Sequence, residues 1–137
     1  MTASVRTPRV PLPAGVRAAD RTSAAARRAA GALRASGLPA YWARRYPFLT
    51  GPDSGAAAQE HVASTLATLP APYRIAFHCA LRALPVAGRL ARGRRTDGTT
   101  EGVDRLAALP GFREVVRATT TLALYGALDG PARREAS

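Results

Sequence analysis

The sequence predicts an all-α protein, an irregular bundle of five or six helices in one domain. Three observations predict it. Apolar residues recur at three- and four-residue spacing, and no stretch of useful length alternates apolar with polar residues. Alanine, leucine and arginine, all strong helix formers, dominate those stretches. Prolines and glycines fall between them, where helices start and stop. At 137 residues the chain suits a single domain with a modest core.

Each element follows in order. Residues 1–13 hold Pro8, Pro11 and Pro13 among small and basic residues and predict a disordered lead-in. A single helical domain is expected over residues 14–130, with a tail at 131–137. Residues 15–36 are alanine-rich and predict a helix, ended by Gly37 and Pro39. Its only large apolar residues are Val16 and Leu33, so a peripheral helix, or one ordered on binding, is expected. A short helix over 40–45 is broken by Pro47. Asp53 or Ser54 is placed to cap a helix over 55–69, whose Val62, Leu66 and Leu69 make an apolar stripe.

Pro72 then starts a helix from Ala71 to Arg92. Tyr73, Phe77, Ala80, Leu81 and Leu84 share its inner face; Ile75, Cys79 and Val86 are expected to extend the buried surface. Pro85 is expected to kink or split this helix after Leu84. After a polar loop turning at Asp97–Gly98, Thr99 or Thr100 caps a helix over 101–109, with Val103, Leu106 and Leu109 facing the core. The last helix opens at Pro110, runs through Phe112, and stops at Gly130–Pro131. Residues 118–127 carry no charge, which predicts a helix buried on more than one side. The hydroxyls of Thr119 to Thr121 are expected to bond back to carbonyls one turn earlier.

Composition narrows the function. No eighteen-residue apolar run exists, the amino terminus lacks the apolar core of a secretory signal, and Cys79 is the single cysteine. These features together predict a cytoplasmic protein. The formal net charge is +11, and every one of the 20 basic residues is arginine. Missing lysine and asparagine reflect a GC-rich bacterial genome, but that bias does not explain why arginine so outnumbers the 9 acids. Solvated helix faces, an acidic protein partner or nucleic acid could each account for the excess. Arg89, Arg92, Arg94 and Arg95 form the basic run that a nucleic-acid role would use.

Nothing in the sequence assembles a catalytic site, a metal site or a cofactor site. His61 stands beside Glu60 and His78 beside Cys79, but neighbours on a helix point about 100° apart and make no site alone. One cysteine and two isolated histidines lack the spacing of a zinc site. No glycine-rich phosphate loop is present. The expectation is a protein that is no enzyme on its own and holds no cofactor. Its candidate partner-binding residues are the aromatic and arginine cluster Tyr41, Trp42, Arg44, Arg45, Tyr46 and Phe48, with Leu124, Tyr125 and Leu128 near the other end of the chain; the same aromatic cluster is equally suited to closing one end of the helical core, or to stacking on bases. Self-association is a further expectation for such apolar helices.

One pattern extends over about two-thirds of the sequence. Tyr41-Trp42-Ala43-Arg44 is followed by Leu69-Pro70, Tyr73-Arg74 and Phe77. Then come Arg105-Leu106, Leu109-Pro110, Phe112-Arg113 and Leu122-Ala123-Leu124-Tyr125. This order resembles the helical amino-terminal region that precedes the flavin domain in glucose-methanol-choline oxidoreductases of the long-chain alcohol oxidase type. The residues from Gly126 to Ser137 hold no glycine-rich flavin-binding strand-turn-helix, so none is expected as part of this protein. The resemblance therefore implies an accessory subunit that docks on a separate flavoprotein oxidoreductase and contributes no flavin contacts itself.

Overall fold

A computed structural model of the chain describes residues 14–92 and 99–135, and the regular structure among them is entirely helical. Six α-helices follow in order among the described residues: α1 (Ala14–Ala35), α2 (Leu38–Arg45), α3 (Pro52–Thr68), α4 (Ala71–Arg92), α5 (Thr99–Leu106) and α6 (Phe112–Glu135). A 3₁₀ turn, Pro47–Thr50, joins α2 to α3. The lead-in expected at residues 1–13 and the turn expected at Asp97–Gly98 lie outside the described residues. No described helix is long and apolar enough to cross a membrane.

The centre of the bundle is α3. Its Ala58, Val62, Ala63, Leu66 and Ala67 are buried, and it packs chiefly on α6 and α1. Small side chains let these helices approach closely. A Cβ added to Gly126 of α6 would overlap the His61 side chain of α3 and lie 3.1 Å from the Ala57 carbonyl oxygen. The start of α3 differs from the expected cap. Pro52 opens it one residue after Gly51, because proline's fixed φ suits the first helical position. Ser54 instead donates from Oγ to the Phe48 carbonyl at 2.7 Å, fastening the 3₁₀ turn to the helix.

α1 is not peripheral. Its carboxyl-terminal half puts Ala29, Ala32 and Leu33 into the core, and Ser36, the residue after the helix, is buried as well. The one large apolar side chain suffices because alanines around it allow close packing on α3. The Ser36 hydroxyl donates to the Leu33 carbonyl at 2.6 Å and accepts the Leu38 N–H at 3.2 Å. Gly37 (φ 82°) supplies the left-handed turn into α2.

α4 is continuous through Pro85, which corrects the expected split. The proline removes one hydrogen bond to the Leu81 carbonyl. The residues around it are held by tertiary packing: Leu81 and Leu84 are buried, and Gly88 lies against Gly102 of α5. A Cβ on Gly102 would stand 3.0 Å from the Gly88 Cα, so the two backbones touch. α5 begins at Thr99 and ends at Leu106. Val103 and Leu106 are buried as their spacing predicts, whereas Leu109 falls in the following turn and is half exposed.

α6 departs from expectation at both ends and around its circumference. It starts at Phe112, after Gly111 in the left-handed region (φ 87°), and continues past Gly130–Pro131 to Glu135. Proline's own φ is helical, so Pro131 removes only the bond to the Ala127 carbonyl and the helix passes through. Val116, Thr119, Thr120, Ala123 and Ala127 are buried on one face, but Tyr125 and Leu128 are exposed. The uncharged run thus buries one side, not all sides. Thr119 Oγ1 donates to the Val115 carbonyl at 2.7 Å, and Thr121 Oγ1 to the Arg117 carbonyl at 3.0 Å. Those back-bonds let Thr119 be fully buried without an unsatisfied hydroxyl.

Candidate protein-binding surface

The aromatic cluster belongs largely to the core. Trp42 is 2% exposed, and its indole N–H donates to Thr120 Oγ1 of α6 at 2.9 Å. Tyr41 is buried beside it. Burial raises the Tyr41 hydroxyl above its ordinary value; Arg45 opposes that shift and Asp104 adds to it. Neither ring faces solvent, so of the alternatives open from the sequence these two residues take the core-closing one, and Tyr41 and Trp42 are corrected as partner-binding candidates. A buried indole needs a hydrogen-bond acceptor, and Thr120, one turn along from Val116, provides it. A lone tryptophan among arginines looks like an interface anchor because core and interface select the same residue.

The rest of that cluster is more open. Arg44 is exposed and pairs with Asp104 of α5, tying α2 to α5. Arg45 is exposed and Tyr46 is half-buried against the core. The exposed Phe48 ring tilts against Tyr46 with centroids 6.2 Å apart. Of the residues near the far end, Leu124 is half-buried against the core, whereas Tyr125 and Leu128 are exposed. Arg89 is exposed on α4. The side chains of Arg92, Arg94 and Arg95 lie outside the described residues.

Another apolar surface left open among the described residues lies on α4. Phe77, Leu81, Leu84 and Gly88 turn inward. On the opposite side Ile75, Cys79, Val86 and Leu90 are exposed, Leu90 by 79%. At 100° per residue these four fall within about 60° of one another, and the strip runs about 22 Å along the helix. Ile75, Cys79 and Val86 therefore do not extend the core, contrary to expectation; with Leu90 they form a second, largely apolar face, interrupted by the exposed Arg82 between Cys79 and Val86. The signal was in the sequence. Two apolar faces on one helix require two partners, and the bundle supplies one.

Beside the amino-terminal half of that strip lies an open groove between α1 and α4, with Leu66 and Ala67 of α3 as its floor. Its two connected parts measure about 320 and 440 Å³ and share Ala25, Arg28 and Arg74. Arg21, Arg28 and Arg74 edge it, and Ile75, Phe77 and His78 line the α4 wall. The Arg74 guanidinium also reaches the Ala67 carbonyl at 3.4 Å, which fixes it at the carboxyl end of α3. Among the described residues no carboxylate pairs with these three arginines. His61 lies in the α3–α6 seam, apart from His78 and Cys79 on α4. Among the described residues no three of histidine, cysteine, aspartate and glutamate gather closely enough to hold a metal.

Fold and surface together define a small helical bundle with an unpartnered apolar helix face beside a basic groove. The chain matches no protein-family model, no curated protein and no solved structure.

Proposed function

We propose that this chain is a non-catalytic accessory subunit that binds a separate protein through the outer face of α4. The observation that carries the reading is the strip Ile75–Cys79–Val86–Leu90, apolar, exposed and opposite the buried face of the same helix. Burying a leucine or isoleucine side chain is worth about 1.5–3 kcal/mol, so a partner that covers this strip gains several such increments before the cost of association. A flavin-dependent alcohol or sugar oxidoreductase is the proposed partner. The order of short motifs from Tyr41 to Tyr125 supports that choice.

Co-expression with the flavoprotein encoded nearest to this chain tests both halves. The expected result is a complex that survives gel filtration and is lost in Val86→Glu and Leu90→Glu, while both variants keep the helical circular dichroism of the parent. No complex, and no change in the flavoprotein's yield or activity, would remove the partner. A complex indifferent to both substitutions would remove the α4 face. A homodimer broken by the same two substitutions would reassign the strip to self-association.

A second reading has its own observation. Arg21, Arg28 and Arg74 edge one groove, and Arg89 is exposed further along α4. A nucleic-acid-binding protein would use them for phosphates, with an affinity that falls steeply as salt rises. Failure to bind duplex or single strands at low salt removes this reading.

A further inference from the structure

The groove between α1 and α4 has a chemistry that selects its occupant. Its floor and inner wall are apolar, from Leu66 and Phe77, and its outer wall carries Ile75. Its α1 rim carries Arg21 and Arg28, which stand two turns apart, about 10.5 Å along the axis. Arg74 closes the rim from α4. Between the arginines the α1 wall is Thr22 and Ala25, with Ala18 one turn before Arg21, so no large side chain fills the space. The groove is open along one side and runs into the exposed α4 strip at Ile75. Small-molecule pockets enclose most of their ligand; an open trough beside an apolar strip suits a helix laid lengthwise.

We propose that this groove receives an amphipathic helix with an acidic flank, supplied by the partner protein. The apolar side of that helix rests on Leu66, Phe77 and Ile75. Two carboxylates seven residues apart on its flank meet Arg21 and Arg28, and a third meets Arg74. Charge selects the acidic flank: among the described residues the three guanidiniums have no carboxylate partner, in a chain of net charge +11. The inference rests on the partner-binding reading above and names the chemistry of the partner's contact.

The test uses the full chain and two fluorescein-labelled helical peptides with the same leucine and alanine face. One carries glutamate along its flank, the other lysine. Fluorescence anisotropy is expected to show the glutamate peptide binding at least about tenfold more tightly than the lysine peptide. Arg21→Glu and Arg28→Glu should each weaken it by about tenfold, whereas Arg27→Glu, the same charge change on the exposed side of α1, should weaken it less than about twofold. Ile75→Ser should also weaken binding while leaving the fold intact by circular dichroism. Equal losses in Arg27→Glu and Arg28→Glu would overturn the proposal, because net charge alone would then explain binding. A labelled DNA duplex that binds more tightly than the glutamate peptide, with the same sensitivity to Arg28→Glu, would overturn it in favour of nucleic acid. The two proposals fail separately. Capture of the flavoprotein with no effect of Arg21→Glu or Arg28→Glu removes the acidic helix and keeps the subunit; specific peptide binding without flavoprotein capture does the reverse.

Discussion

Helices α3 and α4 make opposite use of similar material. Both start at or just before a proline and carry an apolar stripe at helical spacing. α3 spends its stripe within the bundle, where Val62 is wholly buried and Leu66 nearly so. α4 buries Leu81 and Leu84 and leaves Ile75, Val86 and Leu90 in solvent. The difference lies in neighbours. α3 is flanked by α1, α6 and the 3₁₀ turn, while α4 packs chiefly on α5, less on α1, and only lightly on α3 and α6. A stripe tells that a helix face wants cover; only the arrangement of the other helices tells whether the chain itself provides it.

The contrast is sharpest at Trp42, whose ring serves the same core as α3. Trp42→Ala is expected to cost about 3–5 kcal/mol, the range for emptying a buried aromatic site, read as a lower denaturant midpoint. A loss below about 1 kcal/mol would mean that Trp42 lies at a surface after all. Next in size is Gly126→Val. Its branched side chain has no room against His61 and the Ala57 carbonyl, so the α3–α6 seam must open, at about 1–3 kcal/mol.

Thr120→Val keeps the shape of the side chain and removes the acceptor for the Trp42 indole N–H. The expected loss is about 1 kcal/mol, the lower end for an unsatisfied buried donor, with a shift in tryptophan fluorescence as a second readout. Tyr41→Phe acts only in alkali. Burial holds the Tyr41 hydroxyl above 10.0, so the unfolded chain releases this proton first. Stability is therefore intact below that value and declines as pH rises through the folded pKa. Thermal melts in alkaline buffers should show a shallower decline in Tyr41→Phe. The smallest effect belongs to α4. Leu90→Ser should change the stability of the isolated chain by no more than about 0.5 kcal/mol; a larger loss would place Leu90 in a core and dissolve the contrast.

Much of the fold was legible in the residues. Alanine, leucine and proline placement marks the helices, and the spacing of Val62, Leu66, Leu81, Leu84, Val103 and Leu106 marks their inner faces correctly. What was not legible depended on partners distant in sequence. Leu33 is drawn into the core because α3 offers it a place. Trp42 is taken from the surface by Thr120, a residue 78 positions away. The split allowed for at Pro85 and the stop at Gly130–Pro131 do not occur, and both helices continue, since local rules count the lost bond and omit the packing on either side. The exposed strip was visible as apolar residues but not as exposed. The groove was not foreseen, because Arg21, Arg28 and Arg74 come together only when α1 and α4 cross α3.

The contact between Gly88 and Gly102 sets a length rather than a chemistry. Two main chains meeting without intervening side chains set how closely α4 and α5 approach. A methyl group on Gly102 would stand 3.0 Å from the Gly88 Cα and act as a shim, whereas one on Gly88 would meet the Gly102 Cα at 3.4 Å. Because α5 also holds Arg44 through Asp104, that shim would be felt on the far side of the bundle, at α2.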